Sequence, residues 1–144
     1  SGNNITLGIK LSDVYEKLTE YPSKKVLVFL DACFSGGARN QGLISMKGVK
    51  VKPKMGVVNG NMIVFASSTG EESSGVYREK QHGFMTYFLL KKLKETKGEV
   101  TLKDLSDFVV ESVSKETALK GKVQTPQVNF SPDIENKWLT WGLK

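Results

Sequence analysis

The chain carries one cysteine, Cys33, and one histidine, His82, among 144 residues. A single thiol excludes an internal disulfide. A free thiol also suits a reducing compartment, which favours the cytoplasm. One cysteine and one histidine fall short of the ligand set of an ordinary zinc site. No apolar run approaches the ~20 residues that a membrane-spanning helix needs, so no membrane partner is expected. Acidic residues are in the minority, 15 against 21 Lys and Arg, for a net charge of +6 that admits an acidic partner. A clustered basic stripe with interleaved aromatics is missing, however, which argues against nucleic acid. Lys47, Lys50, Lys52 and Lys54 fall in a loop-like stretch, and Lys91, Lys92, Lys94 and Lys97 close a helical pattern, where they suit the helix dipole without any partner.

Two short apolar runs are present, "KVLVFL" at 25–30 and "MIVFAS" at 62–67. Both are rich in branched residues and end in small polar ones, the pattern of buried strands in a parallel sheet. The first reads as a central strand. Between them, residues 35–61 are rich in glycine and lysine and long for a loop, and "KGVKVKPKMGVV" has the weak alternation of a small hairpin.

Ser12 is placed to cap a first helix with an apolar stripe of Val14, Tyr15 and Leu18, stopped by Pro22. A second helix follows Gly83, with Phe84, Tyr87, Phe88, Leu90 and Leu93 on its apolar side and Gly98 as its stop. Thr101 caps a third, whose stripe is Leu102, Leu105, Phe108, Val109 and Val113. "TPQVNF" is an extended edge segment that Trp138 and Trp141 hold down. Helices between buried strands predict a layered α/β domain with a mainly parallel central sheet. Two clear strands are few against a mean of about five or six, so the sheet is expected to be incomplete.

Ligands of open α/β sheets bind beyond the carboxyl ends of the strands. Cys33 and Asp31 lie at one such end, Ser67 and Ser68 at the other. Gly36 and Gly37 permit a tight turn and close approach of a substrate backbone, with N–H groups available to an oxyanion. That is a suitable setting for a cysteine nucleophile attacking a carbonyl. Asp31 in such a pocket selects an arginine or lysine side chain. The plainer alternatives are a small buried apolar cysteine and a turn-forming aspartate.

"VLVFLDACFSGG" resembles the nucleophile strand and turn of the caspase-like cysteine peptidases of family C14, and most of all metacaspases and their bacterial relatives. "MIVFASSTGEESSG" resembles the next strand and substrate loop, "HGFMTYFLLKKLK" the Gly-aromatic-Thr helix, and "GEVTLKDLSDFVVESV" with "QTPQVNF" the closing helix and tail. The resemblance covers nearly all of residues 1–144, which it makes one caspase-like domain, the C-terminal portion of a catalytic domain incomplete on its N-terminal side. It implies a cysteine endopeptidase with Cys33 as nucleophile, Asp31 as the selector of Arg or Lys at P1, and Ser67, Ser68, Glu72 and Ser74 around the substrate.

One feature departs from that family. Its catalytic histidine belongs to a His-Gly pair on an earlier strand, and the chain begins after that point; His82 precedes Gly83 but aligns with the later helix. The expectation is therefore that this chain alone is inactive. Its partner is either an N-terminal fragment of the same protein bearing the histidine or a second copy along an exposed sheet edge. The alternative is a non-catalytic caspase-like domain used for binding or assembly. The resemblance also implies possible calcium activation, although no cofactor and no metal ligands are legible in the residues, and self-cleavage in the lysine-bearing loop 47–54.

Overall fold

The computed structural model describes residues 9–32, 57–69, 72 and 74–144. Cys33, Gly36, Gly37 and the lysine-bearing loop lie outside them, as does most of the anticipated hairpin.

Three helices and five strands follow in the order α1 (Leu11–Leu18), β1 (Val26–Leu30), β2 (Met62–Ala66), β3 (Val76–Tyr77), β4 (His82–Gly83), α2 (Phe84–Thr96), α3 (Leu102–Leu119) and β5 (Gln127–Phe130) among the described residues. β1 and β2 pair in parallel from Val26↔Met62 to Leu30↔Ala66. β5 then joins the far side of β2 antiparallel, from Ile63↔Phe130 to Ala66↔Gln127. Among the described residues the main sheet is therefore mixed, with one parallel and one antiparallel pair, and β2 stands between β1 and β5. All five β2 residues are buried, whereas β1 is only partly covered and Phe29 stays 37% exposed. Both runs are equally apolar, so composition could not rank them; the rank follows from which strand has a neighbour on each side.

Strand alternation divides the core into two layers. Met62 and Val64, with Val26, Val28 and Leu30, face α1, where Tyr15 and Val58 complete a small cluster. Ile63 and Phe65, with Leu27, Val128 and Phe130, face α2 and α3 and the larger cluster of Phe84, Met85, Phe88, Leu102, Leu105, Val109 and Val113. Each large apolar side chain removed from water in this way contributes about 1.5–3 kcal/mol.

α1 begins two residues earlier than its sequence suggests. Lys10 occupies the N-cap without a side-chain bond, and Ser12 Oγ instead donates to Asp13 Oδ1 at 3.2 Å. α2 buries Phe84, Met85 and Phe88. Leu90, expected on that face, lies about 120° round the helix from Phe84 at 100° per residue and is 48% exposed. Left-handed Lys97 and Gly98 end α2, and Gly98 N–H donates back to Leu93 O at 3.0 Å. Thr101 caps α3 as anticipated, accepting from Asp104 N–H at 3.1 Å. Trp138 packs on Phe130 with centroids 5.4 Å apart, and Leu102 N–H donates to Trp141 O at 2.7 Å, so the tail is pinned to the end of the sheet and the start of α3.

Candidate active site

The odd-numbered positions of β1 face the α2 layer, and Asp31 is the next odd position beyond the strand. Its Oδ2 accepts two hydrogen bonds from one residue of α2, from Thr86 N–H at 3.1 Å and from Thr86 Oγ1–H at 2.5 Å. The first turn of any helix leaves backbone N–H groups without intrahelical partners, which an N-cap side chain ordinarily satisfies at the second or third position. The N-cap of α2 is Gly83, which has no side chain, and Thr86 is the third residue of the helix. Asp31 supplies the missing cap from 55 positions away.

Gly83 makes room for this. A Cβ there would fall 2.7 Å from Asp31 Oδ1 and 2.6 Å from its Cγ, inside van der Waals contact. Its φ of −66° suits any residue, so close approach rather than backbone freedom is what the position requires. His82 is exposed on β4, opposite Tyr77 of β3. Tyr77 in turn stacks on Phe84 at 4.9 Å; burial, and then the Glu116 carboxylate, raise its phenol above the ordinary value of 10.0.

A second set of groups converges on the backbone between Asp31 and Cys33. Ser74 Oγ donates to Ala32 O at 3.0 Å, and Ser67 Oγ lies 3.4 Å from the same carbonyl, so its one proton is divided between that oxygen and Ser74 Oγ. The Ser67 and Ser74 hydroxyls meet in a short hydrogen bond, and Ser68 Oγ lies 3.0 Å from Ser74 Oγ. All three serines are buried. Ser67 N–H also donates to Leu30 O at 2.9 Å, extending the β1–β2 ladder past its last pair. The peptide unit leading into Cys33 is thus held by hydroxyls from two other segments.

Glu72 and Gln124 lock the loop that carries Ser74. Glu72 Oε2 accepts from Thr125 N–H at 2.7 Å and Thr69 N–H at 3.4 Å, while Oε1 accepts from Thr125 Oγ1–H at 3.2 Å. Gln124, 2% exposed, donates through Nε2 to Ser67 O at 2.8 Å and accepts from Gly75 N–H at 2.7 Å.

Of the residues singled out from sequence, Asp31, Ser67, Ser68, Glu72 and Ser74 therefore gather at the carboxyl ends of β1 and β2, beside the start of α2. Cys33, Gly36 and Gly37 lie outside the described residues. Thr86, Gly83 as the seat of a carboxylate, and Gln124 carry no such assignment in sequence. A helix beginning "HGF" without its own capping side chain is a usable sign that a cap comes from elsewhere; Gln124 offers no local sign at all.

A cavity of about 580 Å³ lies at the other end of α2, lined by Lys92, Thr96, Glu99, Asp104, Asp107 and Glu111 among others. Its helical lining, Lys92 and Thr96, lies 6 and 10 residues beyond Thr86, so the cavity is about 9–15 Å along the helix from the Asp31 contact. Among the described residues no group of three or more His, Cys, Asp or Glu side chains is gathered to hold a metal ion.

Helices on both faces of a mixed sheet, with polar groups assembled at the strand ends, define a layered α/β domain of the kind that places its chemistry at that edge. The family model of the caspase domain, peptidase family C14, matches residues 3–135. The chain belongs to that family of cysteine peptidases. Among curated proteins no significant match is found.

Proposed function

We propose that the protein is the Cys33-bearing part of a cysteine endopeptidase that cleaves after arginine or lysine. The observation that carries this reading is the placement of Asp31, a partly buried carboxylate two residues before Cys33 in a chain of the caspase-domain family, at the edge where such sheets bind ligands. A carboxylate held in a partly desolvated recess attracts a guanidinium or ammonium group more strongly than a solvated one. Ser67, Ser68, Ser74 and Glu72 act one layer behind, fixing the backbone that leads to Cys33.

In this reading the thiolate of Cys33 attacks the carbonyl carbon after the basic residue and forms an acyl-thioester, with the oxyanion held by backbone N–H groups of the turn containing Gly36 and Gly37. A histidine first takes the thiol proton and then gives it to the leaving amine. Water adds to the thioester, releases the acid and restores the thiol. This reading calls for a partner fragment that carries that histidine. The outer edge of β1, which has no pairing partner among the described residues, is the place for that fragment to add strands or for a second copy to associate. Self-cleavage falls in the lysine-bearing segment 47–54, whose residues match the P1 preference.

The test is hydrolysis of a fluorogenic arginyl peptide by the intact gene product. Turnover that disappears in Cys33→Ala supports the reading; wild type and Cys33→Ala being equally inert refutes it. That second outcome would favour a non-catalytic binding or assembly domain, for which the exposed His82, the chain's single histidine, is the relevant observation.

A further inference from the structure

We infer that Thr86, seated beside the bare Gly83, is the positioning residue that sets selectivity for a cationic side chain, because it fixes the Asp31 carboxylate on the N-terminal turn of α2. The inference rests on the proposed reading of Asp31 as the cation-binding group. It adds a residue from another element and gives α2 a part in specificity.

Asp31 stands beyond the last residue of β1, where the strand ladder no longer restrains it. An aspartate in that position has several rotamers, and a two-pronged hydrogen bond to a guanidinium requires one of them. Thr86 removes the choice. Both its donors, N–H at 3.1 Å and Oγ1–H at 2.5 Å, converge on the same oxygen, Oδ2. Two bonds to one oxygen fix the direction of the C–O vector as well as its position. Gly83 leaves the seat open, since the carboxyl group lies against its Cα where any Cβ would collide with Cγ at 2.6 Å. Phe84 and Met85, 0% and 1% exposed, anchor the same turn in the core, so the seat itself is rigid. A charged recognition group held by a packed helix gains more selectivity than one on a mobile loop, because less ordering is required when the ligand arrives.

A purely structural cap would have the same geometry, so the test must read selectivity. Wild type, Thr86→Val and Thr86→Ser are compared in the intact gene product, with melting curves to establish folding. Two readouts are taken: cleavage of fluorogenic peptides with Arg or Leu at P1, and binding of N-acetylarginine amide followed by NMR. Thr86→Val keeps the backbone donor and the side-chain shape but loses the hydroxyl. It should lose about tenfold in kcat/KM for the Arg peptide, mainly through KM, and about the same factor in affinity for the arginine amide. The ratio of kcat/KM for the Arg peptide to that for the Leu peptide should fall with it, and Thr86→Ser should recover to within about twofold of wild type. If Thr86→Val does not fold, Thr86→Ala carries the comparison.

A folded Thr86→Val that melts lower but keeps wild-type Arg selectivity and affinity overturns the inference, as does a wild type that does not bind the arginine amide. A wild type that binds the amide, loses it in Thr86→Val, and shows no Cys33-dependent cleavage leaves the Thr86 seat standing while the peptidase reading fails.

Discussion

The side-chain amide of Gln124 spans the site from behind, its Nε2 donating to Ser67 O at 2.8 Å while its Oε1 accepts from Gly75 N–H at 2.7 Å. The residue is 2% exposed and lies 57 positions from Ser67. One amide thereby ties the end of β2 and the approach to β3 to the segment just before β5. All three segments meet within a few bonds of the Ala32 carbonyl.

Removing that amide should therefore be felt in stability and in the site together. Gln124→Leu keeps most of the volume but leaves a buried carbonyl and a buried N–H unpaired, at about 1–3 kcal/mol for each. The expected loss is roughly 2–4 kcal/mol, measured as a shift in the urea midpoint with unchanged slope. A shift below about 0.5 kcal/mol, the scale of an ordinary surface substitution, would mean that the amide does not hold the loop.

Asp31 combines two roles that an isosteric change can separate. Asp31→Asn retains an oxygen that can accept from Thr86 N–H and Oγ1–H, so helix α2 keeps its cap. Stability should stay within about 1 kcal/mol of wild type, while Asp31→Ala should lose about 1–2 kcal/mol, as for other lost N-caps. Preference for Arg over Leu at P1 should vanish in both. Melting curves and paired substrate assays check the two halves independently; retention of Arg preference in Asp31→Asn would place the cation elsewhere.

Tyr15 presents the opposite case, a buried hydroxyl without a hydrogen-bond partner among the described residues. The side chain is 2% exposed. Tyr15→Phe removes an unsatisfied group and should leave stability at pH 7 unchanged or raise it by about 1 kcal/mol. Burial also raises the Tyr15 phenol above its ordinary value of 10.0. The folded state therefore holds this proton more tightly than the unfolded one. The stability linked to it is complete below pH 10 and is lost as pH rises through the folded value. Denaturation midpoints from pH 8 to pH 11 should fall less steeply for Tyr15→Phe than for wild type; equal slopes would show that Tyr15 ionises as freely folded as unfolded.

Local pattern was enough for most of the elements. The two β-rich runs became β1 and β2, the Phe84 and Leu102 stripes became α2 and α3, and Thr101 and Gly98 marked the ends they were read to mark. The misses share a cause. Ser12 looked like a cap, but one hydroxyl does not decide a start that Leu11 and Tyr15 set by packing. β1 and β2 match in composition, yet among the described residues only β2 has a neighbour on each side, and composition does not record how many neighbours a strand has.

At the site the same division holds. Asp31 and the serines could be picked out because strand ends are where such domains bind. Their actual partners could not, since Thr86 stands 55 positions from Asp31 and Gln124 stands 57 from Ser67. The sequence by itself determined the two main strands, the apolar stripes of α2 and α3 and the ends of those helices, and that a carboxylate and a thiol follow one strand, because periodicity and capping act over a few residues. Only the tertiary structure decided that the strand-end carboxylate caps α2 and that an amide near β5 locks the serine loop. Those bonds depend on how the layers stack and in what register, and no short stretch of chain encodes that.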